Sequence, residues 1–216
     1  MKKELLKLKN VQMSERKISR IMKLLGFSSK YGRPRGKNVY TSKNTEKYIH
    51  EYIFPKVENK EEKEIWSMDF TEEKINGKKI YTCGIISVNS KILVGYIQGK
   101  KCTSEMAIKC VTSAISKFGK PYMIMTDRGT QFTSKMFYDM ISGNNILHCM
   151  SRPHTPVDNR FIETFWKSMK VEIGKLSLLN EYTYAMVVDY YINYYNNVRP
   201  HSSLGYKAPL ALKFSA

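Results

Sequence analysis

Three acidic residues are placed where a chain could assemble phosphodiester chemistry: Asp69, Asp127 and Glu163. Asp69 and Asp127 fall at or near the ends of strand-like apolar stretches, and Glu163 falls in a helix-like stretch. Carboxylate oxygens are ligands that Mg²⁺ prefers, and two such ions about 3.5–4 Å apart can activate an attacking oxygen and stabilise a leaving one. The three acids together predict a site for two Mg²⁺ ions, with Mn²⁺ as a substitute.

Two of these acids also have a purely structural interpretation. Asp127 opens the sequence DRGTQFTS, where an aspartate commonly initiates a turn or caps a helix. Glu163 precedes Lys167 by four residues, the spacing of a surface ion pair on a helix. Taken singly, the residues leave both interpretations open, and only their combination favours metal binding.

The hydrophobic pattern predicts the elements that position these acids. Alternating stretches predict three strands, beginning at Ile65, Lys78 and Lys91, with a turn at Asn89 and Ser90. The stretches PYMIMTD and ILHCM predict two further strands. Apolar residues at three- and four-residue spacing predict helices over 103–118, 135–142, 157–174 and 181–197. The expected fold is a mixed α/β sheet flanked by helices.

Positive charge is concentrated in the first part of the chain. The 216 residues include 36 Lys and Arg against 19 acids, a net charge of +17, and residues 1–60 hold 16 of the cations with only 5 acids. This balance suits a polyanionic partner, although a ribosomal or membrane-surface protein has similar charge. The candidate DNA contacts in this part are Arg20, Arg33 and Arg35.

Composition shifts divide the chain into three predicted parts. Residues 1–27 predict a small basic helical segment in which Ser14 is the N-cap. Residues 28–60, rich in Gly, Pro and charge, predict a basic linker, and residues 61–216 predict the α/β domain with its C-terminal helix and tail. The apolar stripe of the first helix is formed by Ile18, Ile21, Met22 and Leu25.

Other classes of protein are disfavoured by what the chain contains. It has no run of about 18 apolar residues, which disfavours a membrane span, and we expect a cytoplasmic, nucleoid-associated bacterial protein. Its four cysteines form no C-x-x-C pair, so reduced and mostly buried thiols are expected rather than a structural zinc site.

Several linked motifs resemble a known family. The stretches WSMDFT, TDRGTQFTS and SRPHTPVDNRFIETFWKSMK resemble the integrase core of bacterial insertion-sequence transposases, in particular the IS-three family of the OrfB type. The tail YINYYNNVRPHSSLGY is similar to the C-terminal signature of that family, and 35 residues separate Asp127 from Glu163, as they do in the family. The N-terminal sequence ERKISRIMKLLGF resembles the end of a helix-turn-helix segment.

The resemblance implies an RNase H-like fold and a DDE metal-binding triad of Asp69, Asp127 and Glu163. Lys170, seven residues after the glutamate, matches a basic position that contacts DNA near the cleaved bond, and Lys167 lies on the same helix face.

Motif positions beside the acids carry further expectations. Gln131 and Asn159 are expected to support the acids or to contact DNA. Arg199 and His201 match the tail motif, where docking of the tail onto the core and DNA contact are equally expected.

The chain departs from the family at two positions, where His154 replaces a common glycine and Arg160 a common small residue. Two other acids are set aside. Asp158 is expected to cap the helix that carries Glu163, and Glu172 lies too far along that helix to join the site.

The leading hypothesis is a transposase that hydrolyses a DNA 3′ end and joins the freed hydroxyl to another strand. Its expected partners are double-stranded DNA (element ends and target), further copies of itself on DNA, and an upstream-frame partner or fusion. The alternatives are an RNase H-like nuclease and a catalytically silent DNA-binding remnant of a mobile element.

Overall fold

The computed structural model describes residues 14–25, 50–174 and 179–213, and the chain divides into two compact units, residues 1–38 and 39–216. Arg33 and Arg35 lie outside the described residues.

In the first unit, helix α1 spans Glu15–Leu24. The backbone N–H of Lys17 donates to the Ser14 hydroxyl over 3.3 Å, as expected of an N-cap. Of the predicted apolar stripe, Ile18 is buried, whereas Leu25 is 66% exposed. Arg20 is exposed, as its position off the stripe predicts.

A five-stranded mixed sheet forms the centre of the second unit. Its strand order is β3-β2-β1-β4-β5, in which β1, β2 and β3 are antiparallel and β4 and β5 run parallel to β1. The predicted mixed sheet is confirmed. The strands are β1 Ile65–Ile75, β2 Lys78–Ser87, β3 Leu93–Gly99, β4 Met123–Thr126 and β5 Leu147–Met150.

Helices cover both faces of the sheet, because side chains of successive strand residues point to opposite faces and both faces carry apolar groups. Trp66 and Met68 pack in one core with α2 and α3, whereas Ile75 and Ile86 pack in another with α4 and α5. The helices are α2 Ser104–Phe118, α3 Lys135–Gly143, α4 Arg160–Ile173, α5 Glu181–Asn197 and α6 Pro209–Lys213.

The element bounds differ most from the sequence patterns in β1 and in the helix of Glu163. β1 continues to Ile75, four residues beyond the WSMDFT motif, since Glu72 to Ile75 pair with β2 across a tight hairpin. The α-helical part of the predicted helix 157–174 begins only at Arg160, after a 3₁₀ turn over Pro156–Asn159.

Part of the predicted linker belongs structurally to the α/β unit. A 3₁₀ turn spans Phe54–Lys56, and Tyr52, Phe54 and Val57 pack against the core formed by β1, β4 and β5. The domain bounds 27/28 and 60/61 stay a prediction.

Candidate active site

Asp69 lies in the middle of β1, opposite Gly84 of β2. It shares a sheet face with Ser67, the face that α4 covers, because side chains two residues apart in a strand point the same way. The Trp166 ring of α4 lies directly over Gly84, where a Cβ atom would come within 2.6 Å of the indole. Gly84 therefore allows the helix to approach the strand that carries Asp69.

Asp127 directly follows β4, whose four residues are all buried. Its Oδ1 accepts a hydrogen bond of 2.9 Å from the backbone N–H of Gly129, so the residue does form the turn that its sequence context suggests. That bond uses one carboxylate oxygen. A turn-forming role and a ligand role for Asp127 are therefore compatible.

Glu163 lies in the first turn of α4 and is exposed. Of the cations in residues 14–25, 50–174 and 179–213, none forms an ion pair with it; Lys167 in particular does not. The surface-pair interpretation of Glu163 is thus not observed.

Electrostatics link the three carboxyl groups. Burial, and next the Asp127 carboxylate, raise the pKa of Asp69 to about 8, with a smaller raising effect from Glu163 and opposing effects from the Phe70 N–H and from Lys170. Burial and Asp127 also raise the pKa of Glu163, and burial raises that of Asp127. Asp127 opposes the ionisation of Asp69 and of Glu163, and Glu163 opposes that of Asp69, so the three acids share one region of negative potential.

Such a region is chemically suited to a divalent cation. An ion with hard oxygen ligands would relieve the repulsion among the three carboxylates and favour their ionised forms. Across the described part of the chain, however, no three His, Cys, Asp or Glu side chains are already arranged as ligands of one ion. The donor types fit a metal, and binding requires some adjustment of the side chains.

Comparison with known proteins identifies the family of the chain. Two models described as integrase core domain match residues 59–156 and 144–209, which together are more than two thirds of the chain. The chain belongs to the integrase core family. The predicted recognition of a bacterial insertion-sequence transposase with an integrase-like core is confirmed.

Two curated relatives of this integrase core protein are transposases. The transposase for insertion sequence element IS904 from Lactococcus lactis is 26% identical over 92% of this chain and 80% of the relative. Transposase InsF for insertion sequence IS3fB from Escherichia coli is 27% identical over 67% of this chain. The chain spans about half, 51%, of the length of that second protein.

Solved structures confirm the RNase H-like fold. The simian T-cell lymphotropic virus intasome, in complex with the PP2A regulatory subunit B56 gamma, matches with a TM-score of 0.59 and 20% identity over 71% of this chain and 55% of that one. The HTLV-2 integrase catalytic core domain in complex with magnesium matches with a TM-score of 0.55 and 22% identity over 69% of this chain and 95% of that one.

Asn159 joins the strand of Asp69 to the helix of Glu163. It is 1% exposed, its Oδ1 accepts a 2.6 Å bond from the Ser67 hydroxyl, and its Nδ2 donates to the Met68 carbonyl at 3.1 Å. Both ends of the amide are engaged inside the protein. Of the two expectations for Asn159, support of the acids fits this burial, and a direct DNA contact does not.

The other motif residues lie nearer to solvent. Lys170 Nζ is 3.0 Å from Glu73 Oε1 and donates to the Glu72 carbonyl at 3.1 Å, which holds the end of α4 against β1. Lys167 is exposed. Gln131 is half-buried and folds over Gly129 in the turn after Asp127, where a Cβ atom would meet its amide at 2.2 Å. DNA contacts by these residues stay a prediction.

The tail motif docks onto the core. Arg199 makes bidentate contact with Glu172, because its Nη2 donates to Oε1 at 2.6 Å and its Nε donates to Oε2 at 3.1 Å. The Tyr191 hydroxyl donates to the same carboxylate at 3.1 Å. The His201 ring packs edge-on against Tyr195 at 4.6 Å. Glu172 thus serves the tail, and the docking expectation for Arg199 and His201 is the one that the geometry supports.

The helix-capping prediction for Asp158 is wrong. Asp158 lies in the 3₁₀ turn, is 3% exposed, and accepts bonds of 2.9 Å from the backbone N–H and the guanidinium of Arg152. It anchors the loop before α4 rather than the helix end. His154 in that loop has a φ of 57°, a conformation that explains why glycine suits this position.

Two residues near the acids were missed in the sequence. Burial, and next the Asp127 and Asp69 carboxylates, raise the pKa of the Cys102 thiol to about 11, so Cys102 is within electrostatic range of both aspartates. His148 is buried, with Nε2 2.9 Å from the Thr126 hydroxyl, which itself donates to the Asp127 carbonyl at 2.8 Å. Neither residue lies in a recognisable motif, so only the fold reveals them.

None of the helices within the described ranges combines the length and apolar character needed to cross a bilayer.

Proposed function

We propose that this chain is a transposase whose Asp69, Asp127 and Glu163 hold divalent metal, Mg²⁺ with Mn²⁺ as a substitute, and that it cuts a DNA 3′ end and joins the freed hydroxyl to another strand. One observation carries the assignment of residues: beyond the effect of burial, which is the largest cause, the charges of Asp127 and Glu163 both raise the pKa of Asp69. Support also comes from the similarity to the two insertion-sequence transposases.

The metal, when bound, would stabilise charge on the attacking and leaving oxygens of an in-line displacement. The chain itself supplies three negatively charged carboxylates in fixed positions, which would hold the metal. Asp69 is fixed by the sheet, Asp127 by its turn with Gly129, and Glu163 by the Asn159 bonds that join the start of α4 to β1. Cleavage and joining are both phosphoryl displacements, so one set of carboxylates serves both.

The proposed partners are double-stranded DNA and further copies of the chain. DNA fits the charge of +17, since each phosphate neutralised by a cation releases counterions. One of the structural neighbours is an intasome, and strand transfer at two DNA ends needs at least two sites. An upstream-frame partner or fusion is proposed as the source of end recognition.

A joining assay tests this function. Labelled element-end DNA carrying a free 3′-hydroxyl is incubated with target DNA and Mg²⁺, and strands longer than the donor are measured. We expect joining by the wild type, and none by Asp127→Asn or Glu163→Gln with DNA binding retained. Glu62→Gln, which removes an exposed acid outside the site, is the matched control and should join normally. Shortened fragments without joined strands would identify a nuclease instead.

A further inference from the structure

Three aromatic rings form a row beside the start of α4. The Phe54 ring lies 5.9 Å from the Phe161 ring, edge to face, and 6.4 Å from the Tyr52 ring. Phe161 follows Arg160, the first residue of α4. The row therefore connects the segment before β1 to the helix that carries Glu163.

Cations lie over all three rings. Arg152 Cζ is 5.1 Å from the Tyr52 ring centre, but its charge is matched by Asp158, whereas three other cations lie over Phe54 and Phe161. Lys60 Nζ is 5.0 Å from the Phe54 ring centre, Lys91 Nζ is 4.9 Å from the Phe161 ring centre, and Arg160 Cζ is 5.1 Å from the same centre. Rings hold cations in this way through their negative faces. We call Phe54, Phe161, Lys60, Lys91 and Arg160 the ring-and-cation patch.

A neighbouring turn fixes the patch. The Asn89 amide donates to the carbonyls of Lys60 at 2.8 Å and of Lys63 at 2.9 Å, and so ties the segment that carries Lys60 to the β2–β3 turn that precedes Lys91. The Lys91 ammonium donates to the Val88 carbonyl in that turn. The cations are thus held on two connected pieces of backbone.

The patch has uncompensated charge. Eight other Lys and Arg side chains pair with acids, but within the described ranges no ion pair involves Lys60, Lys91 or Arg160. Glu58, Glu61 and Glu62, which flank Lys60 in the sequence, are exposed, and none of them forms an ion pair with Lys60. Burial and next Arg160 lower the pKa of Lys91. Like charges held together without an ion-paired acid are stabilised by an external anion.

We propose that the ring-and-cation patch binds the phosphodiester backbone of the DNA on which the neighbouring acids act. The partner is taken from the proposed function, on which this inference rests. Arg160 lies three residues, less than one helical turn, before Glu163, so a strand held here would lie next to the acids. Ammonium and guanidinium groups on phosphates position DNA without reading its sequence. The family departure at Arg160 thereby gains a role.

Binding at different salt concentrations tests the patch without catalysis. The affinity of the wild type and of Lys60→Gln/Arg160→Gln for a labelled duplex is measured by fluorescence anisotropy in EDTA between 50 and 200 mM KCl, about the range where phosphate contacts dominate. Two lost phosphate contacts should lower the slope of log K against log salt by about 1.8. Arg160→Lys in the Lys60 wild-type background keeps the charge and should keep most of the slope.

A matched control removes two charges elsewhere. Lys117 and Lys120, both exposed, lie at and just beyond the end of α2, and Lys117→Gln/Lys120→Gln should leave the slope nearly unchanged. An equal fall in both double variants would overturn the proposal, because it would reflect overall charge alone. Polyglutamate is added as a competitor of the labelled duplex. If it displaces the duplex from the wild type as well as unlabelled DNA does, but fails to do so with the patch variant, the proposal is overturned in favour of an acidic protein partner.

Lys91→Gln is a second variant, with its melting temperature measured first because Lys91 is half-buried. A folded Lys91→Gln should lower the slope by about 0.9, and an unchanged slope contradicts its part in the patch. The outcomes separate the two proposals. If the patch variants lower the slope but the wild type shows no metal-dependent joining, the patch proposal stands and the catalytic assignment is overturned. If the wild type joins DNA but the patch variants leave the slope unchanged, the catalytic assignment stands and the patch proposal is overturned.

Discussion

Charge is left unbalanced in one region of the molecule and balanced in another. Around Asp69, Asp127 and Glu163, the charge of Asp127 raises the pKa of the other two acids, and no ion pair in the described ranges involves any of the three. Where the tail docks, Glu172 is matched by the guanidinium of Arg199 at 2.6 Å. Matched charges stabilise the native state by themselves, whereas the acidic region gains most from a bound cation. The two regions should therefore respond in opposite ways to substitution.

The largest expected effect is the loss of joining when the acidic region is changed. Asp69→Asn should reduce strand joining by at least about 10³-fold, because it removes a proposed ligand that stabilises charge in the transition state. The same change should leave the metal-free melting temperature unchanged or higher at pH 8, since it removes a buried acid that is opposed by its neighbours. A joining rate near that of the wild type would break the comparison.

Arg199→Ala should have the opposite profile. Its side chain is 18% exposed and its partner Glu172 is 24% exposed, so removal leaves a partly buried carboxylate without its cation, at a cost of about 2–4 kcal/mol in the free energy of unfolding. Denaturant unfolding measures this loss, and joining per folded molecule should be retained at low temperature. Arg199→Lys should restore only part of the stability, because it loses the bidentate geometry. A stable but inactive Arg199→Ala would indicate a DNA contact instead.

An intermediate effect is expected at Asn159, which links β1 to the start of α4. Asn159→Ala and Ser67→Ala each leave buried polar groups unsatisfied, at about 1–3 kcal/mol each. Their effects on the free energy of unfolding should be less than additive in the double variant, because both substitutions remove the same Ser67–Asn159 hydrogen bond. Asn159→Ala should also lower the rate of joining without weakening DNA binding, and equal losses of rate and binding would argue against a positioning role.

The pH dependence of the metal-free protein tests the acidic region separately from catalysis. The pKa of Asp69 is about 8 when folded against 3.8 ordinarily, so the native state holds an extra proton between these values. Stability from this group is therefore present below about pH 4 and declines as pH rises towards 8. Thermal melts should show this decline, Asp69→Asn should flatten it, and added Mg²⁺ should stabilise more at pH 8 than at pH 5. A pH slope unaffected by Asp69→Asn would contradict the assigned shift.

The chain order of elements could be predicted because each has its own hydrophobic period. All four residues of β4 are buried and three of them are apolar, and the apolar residues of α2 recur every three to four positions. Asp127 follows directly after β4 as predicted, whereas Asp69 lies in the middle of β1 rather than near its end. The end of β1 could not be predicted, since the charged segment from Glu72 to Lys74 becomes a strand only through pairing with β2. The local hydrophobic pattern therefore predicts that a strand exists, whereas pairing with a neighbouring strand determines where it ends.

The support around the acids depends on contacts between distant parts of the chain. Ser67 and Asn159 are 92 residues apart, and the space that Gly84 leaves for Trp166 exists only once α4 lies on β2. The motif spacing therefore predicted which acids to consider, but not what holds them or that Asp158 would bind Arg152. These partners are set by packing rather than by local propensity.

Anomalous scattering from crystals of the protein soaked in Mn²⁺ tests the convergence of the acids most directly. We predict metal density in contact with carboxylate oxygens of Asp69, Asp127 and Glu163, at about 2.0–2.3 Å, and its loss in Asp69→Asn. Density bound elsewhere, with Glu163 directed away from both aspartates, would contradict the account.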